Sequence, residues 1–287
     1  MTTWSIPAKT FLVGEYAAIV GSPAILLTTA PCFQIALSDK PGLHGIHSES
    51  PAGHLWERCG PMGVGLEWHD PYQGCGGMGA SSAQFLGAYL ACMHVQKKMA
   101  NQEDMLAAYM QHAWNGDGLR PSGYDVLAQS QQGCVYIDRQ KSISHVFSWP
   151  FRDIAFVLLH TGKKLATHHH LKKMALPSQM SSLAIIVERA RNAFLSMDSQ
   201  GLIDCVNDYH WQLAQMDLVA EHSVDPIASF RARPDVLAVK GCGALGADVL
   251  LLLVPAKNQE ALSHQLSTKG WTILATSANL YTGQALI

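Results

Sequence analysis

The chain has 287 residues, of which 48% are hydrophobic and 15% charged, with a formal net charge of −2. This composition is globular rather than disordered, and the length suffices for one large domain or two modest ones with a proper core. The near-neutral charge leaves no basic footprint for nucleic acid, and no apolar run approaches the roughly 18 residues of a membrane span.

Taken in chain order, "WSIPAKTFLVGEY" and "PAILLTTAPCFQIALSD" read as strands, with a turn at Gly21-Ser22-Pro23 between them. Residues 40 to 79 are rich in Gly, Pro and His and read as loops around short strands. From Ser81 to Lys98 the pattern is helical. "NQEDMLAAYMQHAW" predicts a second helix, with Asn101 as N-cap and acids in its first turn. "GDGLRPSGYDV" breaks that helix, and "GCVYID" and "SHVFSW" read as strands. The composition resets near Pro150, which predicts domains of residues 1–150 and 151–287. Beyond it come a buried strand "DIAFVLLH", two amphipathic helices in "SSLAIIVERARNAFLSM" and "LIDCVNDYHWQLAQMDL", and the runs "VLAVKG" and "DVLLLLVP" around a Gly-rich turn. A helix near "NQEALSHQLSTKG" and the strand "WTILATSA" close the chain. The second half reads β-α-α-β-α-β, an α+β sandwich. The start "MTTWSIPAK" has no charged region followed by a long apolar stretch, so a signal peptide is not expected. Seven cysteines, an odd number without C-x-x-C spacing, argue for reduced thiols in a cytoplasmic protein rather than a disulfide framework or a zinc site.

Four stretches carry candidate chemistry. In "PYQGCGGMGASSAQFLGAYLA", glycines run straight into a helix. Glycine lets the backbone approach a ligand closely, and the helix start adds free N–H donors and the positive end of its dipole. The segment therefore reads as a phosphate cradle, with Ser81 and Ser82 adding hydroxyls for a phosphate oxygen or a magnesium ion. It is not a Walker A motif, because no Lys-Ser or Lys-Thr follows the last glycine, and it lacks the G-x-G-x-x-G spacing of a dinucleotide fold. "PAKTFLVGEYAAIVGSPAILL" combines Lys9 with Glu15 in an apolar run, where a carboxylate is costly unless paired. "RPSGYDVLAQSQQG" places Asp125 just past a turn, where it can serve a substrate hydroxyl or simply shape the turn. "VKGCGALGADVLLLL" is a second glycine loop between strand-like runs, and spacing alone makes it a hairpin.

In this order along the chain, the segments resemble the GHMP kinases, whose motifs are P-x-K…G-E-H or G-E-Y, P-x-x-x-G-L-G-S-S-A and G-A-G-x-G-G. The resemblance spans most of the chain. It implies an α+β, two-domain GHMP kinase fold, with an N-terminal domain like ribosomal protein S5 domain 2, a ferredoxin-like C-terminal domain, and an active site between them. "GEYAAIVGSPAI" aligns without gaps to the mevalonate kinase pattern, "PSGYD" is similar to the segment bearing the catalytic aspartate, and "HTGKKLATHHH" to the substrate-lining T-G-x-x-x-S-T. "KGCGALGAD" and Tyr16 are closer to phosphomevalonate kinases.

Carried over, the resemblance implies ATP and Mg2+ as cofactors. Asp125 would be general base or orienting carboxylate, with Lys9 beside it steadying the transferred charge. Gly76, Gly77, Gly79, Ala80, Ser81 and Ser82 would cradle the ATP phosphates. Ser82 would ligate magnesium, with Ser81 as the alternative because GMGASSA has one residue more than GLGSSA. Glu15 would be structural or substrate-side. Thr167, Gly243, Ala244, Lys163 and His168 would contact the substrate. The position of the metal-ligating glutamate of mevalonate kinases is Trp114 here, and Asp117 is the nearest acid. The expected function is phosphorylation of mevalonate in isoprenoid synthesis. Phosphomevalonate, another small alcohol or sugar, and binding without turnover are the alternatives; the presence of both Lys9 and Asp125 favours catalysis. The expected partner is a small-molecule substrate, with no nucleic acid and no membrane. Dimers occur in the family, and the sequence leaves a homodimer open.

Overall fold

The computed structural model describes residues 2–163, 180–243, 245 and 248–287. Thr167, His168 and Ala244, named above as substrate contacts, lie outside the described residues.

The first sheet grows from a long antiparallel pair, β1 (Thr3–Val13) and β2 (Ala24–Ser38). β2 takes β1 along one edge. Its other edge is shared, with β4 (Gly65–His69) pairing residues 34–38 and β5 (Cys134–Asp138) pairing residues 24–27. β3 (Gly42–His44) runs parallel to β4, and β6 (Ile143–Phe147) lies outside β5. The alternation of side chains covers both faces. Ile25, Leu27, Phe33 and Ile35 enter the main core, while Phe11, Ala24, Leu26, Val135 and Ile137 form a smaller cluster with Tyr124.

Among the described residues, four helices from the first half of the chain dress this sheet. α1 (Pro51–Cys59) falls where composition alone reads as loop. Its start is built by Ser50, whose hydroxyl accepts from the Gly53 N–H at 3.1 Å, and by Pro51 in the first turn. α2 (Ala80–Val95) is apolar all round and buried over most of its length. α3 (Gln102–Ala113) begins as the sequence predicts, with Asn101 accepting from the Asp104 N–H at 2.8 Å. α4 (Tyr124–Gln129) is a helix of 6 residues that its sequence does not announce.

The second sheet has the order β10-β7-β9-β8 and is antiparallel throughout. Its strands are β7 (Ile154–His160), β8 (Ala238–Cys242), β9 (Val249–Pro255) and β10 (Thr272–Thr276). α5 (Met180–Ser196), α6 (Ser199–Gln215), α7 (Glu221–Arg231) and α8 (Gln259–Thr268) complete it. Among the described residues, this half therefore reads β-α-α-α-β-β-α-β rather than β-α-α-β-α-β. The extra helix is α7, which carries Pro226 in its interior; Pro weakens a helix by removing a donor, and that obscures the signal. The extra strand arises because the runs on either side of the Gly-rich turn are separate strands, β8 and β9. The run "VLLLLVP" is apolar without alternation because both of its faces are buried. Leu251 and Leu253 enter the main core, while Leu250 and Leu252 meet Phe230 of α7 and Leu262 and Leu266 of α8.

One core runs through both sheets. The change of sheet falls near residue 150, but the end of the chain crosses back. The Tyr281 N–H donates to Thr28 O at 2.9 Å, and the Leu286 N–H to Ser130 O at 2.8 Å.

α2 approaches the sheet closely at Gly87, where an added Cβ would lie 2.4 Å from Ile35 Cγ2 and 2.8 Å from Ile6 Cδ1. Gly87→Ala should gain about 0.5–1 kcal/mol of helix propensity but lose about 1–3 kcal/mol to overpacking. Urea denaturation is expected to show a lower midpoint for the variant.

Candidate active site

Lys9 projects from β1 into a nearly closed environment, so its ammonium needs a counter-charge. Asp125 provides it from the first turn of α4. Lys9 Nζ and Asp125 Oδ1 are 2.8 Å apart, with side chains 9% and 34% exposed, so the carboxylate is the open partner. The turn that delivers Asp125 depends on Gly123, which has φ of 76° and whose added Cβ would lie 2.3 Å from Leu106 Cδ1. Lys9 Nζ also stands 5.1 Å from the centre of the Phe11 ring, a cation–π contact along the same strand.

The first glycine loop closes over this pair. The Lys9 N–H donates to Met78 O at 3.0 Å. Gly79, in the left-handed region with φ of 81°, caps α2 and lies flat on the lysine stem, an added Cβ being 2.9 Å from both Lys9 Cγ and Cε. Gly76 is buried, and Gly77 lies against the second sheet, where an added Cβ would meet Val249 Cγ2 at 2.4 Å and Asp248 Cβ at 2.9 Å. Ala80, Ser81 and Ser82 form the first turn of α2, which has no side-chain cap and no acidic residue. Its N–H groups and dipole are left for an anion.

The two serines differ in exposure. Ser82 is only 3% exposed, and its hydroxyl donates to Gly79 O at 3.0 Å. Ser81 is exposed. The serine first expected to meet a metal thus faces its own helix, and its neighbour holds the open hydroxyl.

Glu15 is turned inward. Its carboxylate accepts from Lys240 Nζ on β8, and both residues are buried, Lys240 completely. Lys240 Nζ also reaches Cys242 Sγ at 3.4 Å, and that thiol donates to Phe11 O at 3.3 Å. The Tyr209 hydroxyl of α6 donates to Glu15 O at 2.7 Å, and Tyr16 Oη accepts from the Leu245 N–H at 2.8 Å. Burial pushes the Glu15 carboxyl above its ordinary value, and the Lys240 ammonium opposes that shift. The carboxylate expected to be either structural or substrate-side is therefore a joint between the two sheets. Sequence reasoning passes over Lys240 and Tyr209; the one signal for Lys240 is a lone cation beside an apolar strand.

Gly243 opens the second loop with φ of 88°, and its neighbourhood is loose, the nearest atom to an added Cβ being Asp248 Oδ2 at 3.9 Å. The T-G segment begins beside it, where the Thr161 N–H donates to Asp248 O at 3.0 Å, and Lys163 is exposed just beyond. Trp114 donates from Nε1 to Asp117 O at 3.2 Å and lines a cavity of about 390 Å3 between α1 and the end of α3, together with His54, Glu57, Arg58 and His112. The α1 side of that cavity goes unread in the sequence because the helix itself does. Among the described residues, no group of three His, Cys, Asp or Glu could hold a metal ion.

No protein-family model and no curated protein sequence matches the chain. Solved structures do. The L. major mevalonate kinase in complex with R-mevalonate has a TM-score of 0.72 at 18% identity, covering 99% of this chain and 97% of that one. The Streptococcus pneumoniae phosphomevalonate kinase in complex with phosphomevalonate and AMPPNP has a TM-score of 0.77 at 15% identity, covering 96% and 99%. The Lactococcus lactis galactokinase complexed with galactose has a TM-score of 0.75 at 11% identity, covering 98% and 94%. The chain has the α+β fold of the GHMP kinases over nearly its whole length. Within that fold it is similar to mevalonate and phosphomevalonate kinases and to a galactokinase alike.

Two outcomes are expected from the buried groups. Lys240→Met leaves Glu15 buried and unpaired, which should cost about 3–5 kcal/mol in chemical denaturation; adding Glu15→Leu should recover most of it. His210 of α6 is held down to about 4 from 6.5 by burial first and by Arg231 and Lys240 next. Its folded value lies below its unfolded one, so the unfolded chain takes the proton first. The His210 contribution is complete above pH 6.5 and is lost as pH falls toward 4. Urea midpoints measured across that window should fall less steeply for His210→Gln.

Proposed function

We propose that the protein is an ATP-dependent small-molecule kinase that transfers the γ-phosphoryl group of ATP to mevalonate. The observation that carries this reading is the Lys9–Asp125 pair at 2.8 Å, under a glycine loop that seats Gly79 on the lysine stem. Phosphoryl transfer asks for positioning and charge neutralisation more than for covalent chemistry by the protein, and this arrangement supplies both. The free N–H groups at the start of α2 bind phosphate oxygens. Asp125, the open member of the pair, orients the substrate hydroxyl and takes its proton as the alcohol oxygen bonds to the γ-phosphorus and ADP leaves. Lys9 offsets charge on the transferred group in a site shielded from water.

Magnesium would meet the nucleotide phosphates here through the exposed Ser81 hydroxyl at the start of α2, with Ser82 behind it; among the described residues no group of three His, Cys, Asp or Glu adds a ready set of ligands. A magnesium ion bound there would supply charge neutralisation across the ATP phosphates. Gly243, Ala244, Lys163, Thr167 and His168 belong to the substrate side of this reading.

A second reading, 5-phosphomevalonate as acceptor, is favoured by exposed Lys163 beside the Thr161–Asp248 contact, where a cation can meet a second phosphate. No helix among the described residues is long and apolar enough to cross a membrane. The seven free cysteines suit a reducing compartment, and we assign the protein to the cytoplasm.

The test offers purified protein ATP and magnesium with mevalonate or 5-phosphomevalonate and follows ADP release. Asp125→Asn should lower kcat by about 10²–10⁴-fold with ATP affinity little changed, while the urea midpoint falls because the covered Lys9 ammonium loses its counter-charge. Undiminished turnover in that variant refutes the role given to Asp125. ADP release with neither acceptor refutes the mevalonate-pathway assignment.

A further inference from the structure

Gln129 ends α4, four residues after Asp125, and is completely buried. That spacing puts the two side chains on one face of the helix. Asp125 reaches β1 at Lys9 Nζ, and Gln129 reaches the same strand two residues earlier, its Nε2 donating to Pro7 O at 2.9 Å. The same Nε2 donates to Gly79 O at 3.1 Å. One amide thus joins the three segments that build the site: the strand bearing Lys9, the glycine loop, and the helix bearing Asp125.

Chemistry fixes the orientation of that amide. The reverse orientation would set Oε1 against two carbonyl oxygens, acceptor against acceptor. Both N–H groups are therefore engaged, and Oε1 is left buried without a partner. A buried acceptor without a partner is costly, so stability alone favours an apolar side chain of this size on the Oε1 side. What an apolar side chain cannot do is donate twice. Pro7 needs a donor from outside the sheet: the β1–β2 register shifts between Ile6 and Ala8, leaving Pro7 unpaired in the ladder. Gly79 is held from the same side, an added Cβ there lying 3.1 Å from Gln129 Nε2 and 2.9 Å from the Lys9 stem.

We propose that Gln129 is a positioning residue: its amide fixes the Pro7–Lys9 strand and the Gly79 turn relative to Asp125, so that ammonium, carboxylate and loop face one phosphoryl group. Its effect on turnover rests on the kinase reading above. Its effect on the backbone does not.

The variants are Gln129→Met, which has the shape without donors, and Gln129→Glu, whose buried carboxyl offers one O–H when protonated and so can serve only one of the two carbonyls. Two measurements are made on each. In the first, kcat should fall on the order of 100-fold, as expected for a small misplacement of reacting groups, while KM for ATP and for the acceptor stays within about three-fold. A merely structural loss would reduce the folded, active fraction and be restored by cooling. In the second, hydrogen exchange is followed at the Lys9 amide, which donates to Met78 O across the same junction. It should exchange faster in both variants, with the β8–β9 amides unchanged. Should the wild type turn over no acceptor, the kinase reading fails and the exchange measurement still decides the role of Gln129. Unchanged Lys9 exchange together with wild-type kcat overturns the proposal. Failure of both variants to fold also overturns it, making Gln129 a plain core residue.

Discussion

A buried ammonium on β8 must find a buried carboxylate, and the turn after β1 supplies it. Removing either charge from water costs several kcal/mol even after relaxation, so neither Lys240 nor Glu15 is tolerable without the other. Their contact spans the two sheets and makes the docking of the second sheet on the first conditional on one register. Such pairs add little net stability against apolar substitutes, but they discriminate strongly against misaligned alternatives. The consequence is felt a few residues away on each side. β9 arrives against the first glycine loop, where Val249 and Asp248 leave room at Gly77 only for a hydrogen. Leu245 in the second loop reaches the hydroxyl of Tyr16, which itself takes an unfavourable φ of 61° next to Glu15.

The distribution of buried charge makes the same point. Among the described residues, the buried Lys, Asp and Glu side chains are Lys9, Glu15, Asp138, Lys240 and Asp248. Asp138 is held by Lys141 at 3.0 Å on a hairpin. The other four all lie in two segments far apart in the chain, residues 9–15 and 240–248. A chain with few charged residues has concentrated those it buries where two sheets and two glycine loops meet. Low dielectric there strengthens each interaction with a charged ligand. The Lys9–Asp125 pair lies at the wet edge of that cluster, with the carboxylate partly open and the ammonium covered.

Much of the fold is legible in the sequence, and the exceptions have causes. β1, β2, α2 and α3 announce themselves through long apolar runs, helical periodicity and the Asn101 cap. α1 does not, because nine residues set among glycines, prolines and histidines carry too little periodicity; its one signal is Ser50 followed by Pro51. α4 is shorter still, and α7 is obscured by Pro226. At the site, residue types and order point to Lys9, Asp125 and the glycine loop. They put Ser82 before Ser81, but they do not say which hydroxyl is open, since that depends on which one the first turn of α2 folds onto Gly79 O. Nor do they pair Glu15 with Lys240 or give Gln129 two carbonyls, because those contacts span 225, 122 and 50 residues of sequence.

The sequence by itself determined the class of elements, the two glycine loops and the need of Glu15 for a counter-charge, because periodicity, turn chemistry and the cost of burying charge are local properties. Only the tertiary structure decided that Glu15 received Lys240, and it set Lys9 and Asp125, neighbours by resemblance alone until then, 2.8 Å apart. Lys9 and Glu15 lie on one stretch of chain and Asp125 and Lys240 far from it, and an ion pair forms between whichever charges the packing of the sheets brings within about 4 Å. That distance is set by the closing of one core across both halves of the molecule, which no single segment encodes.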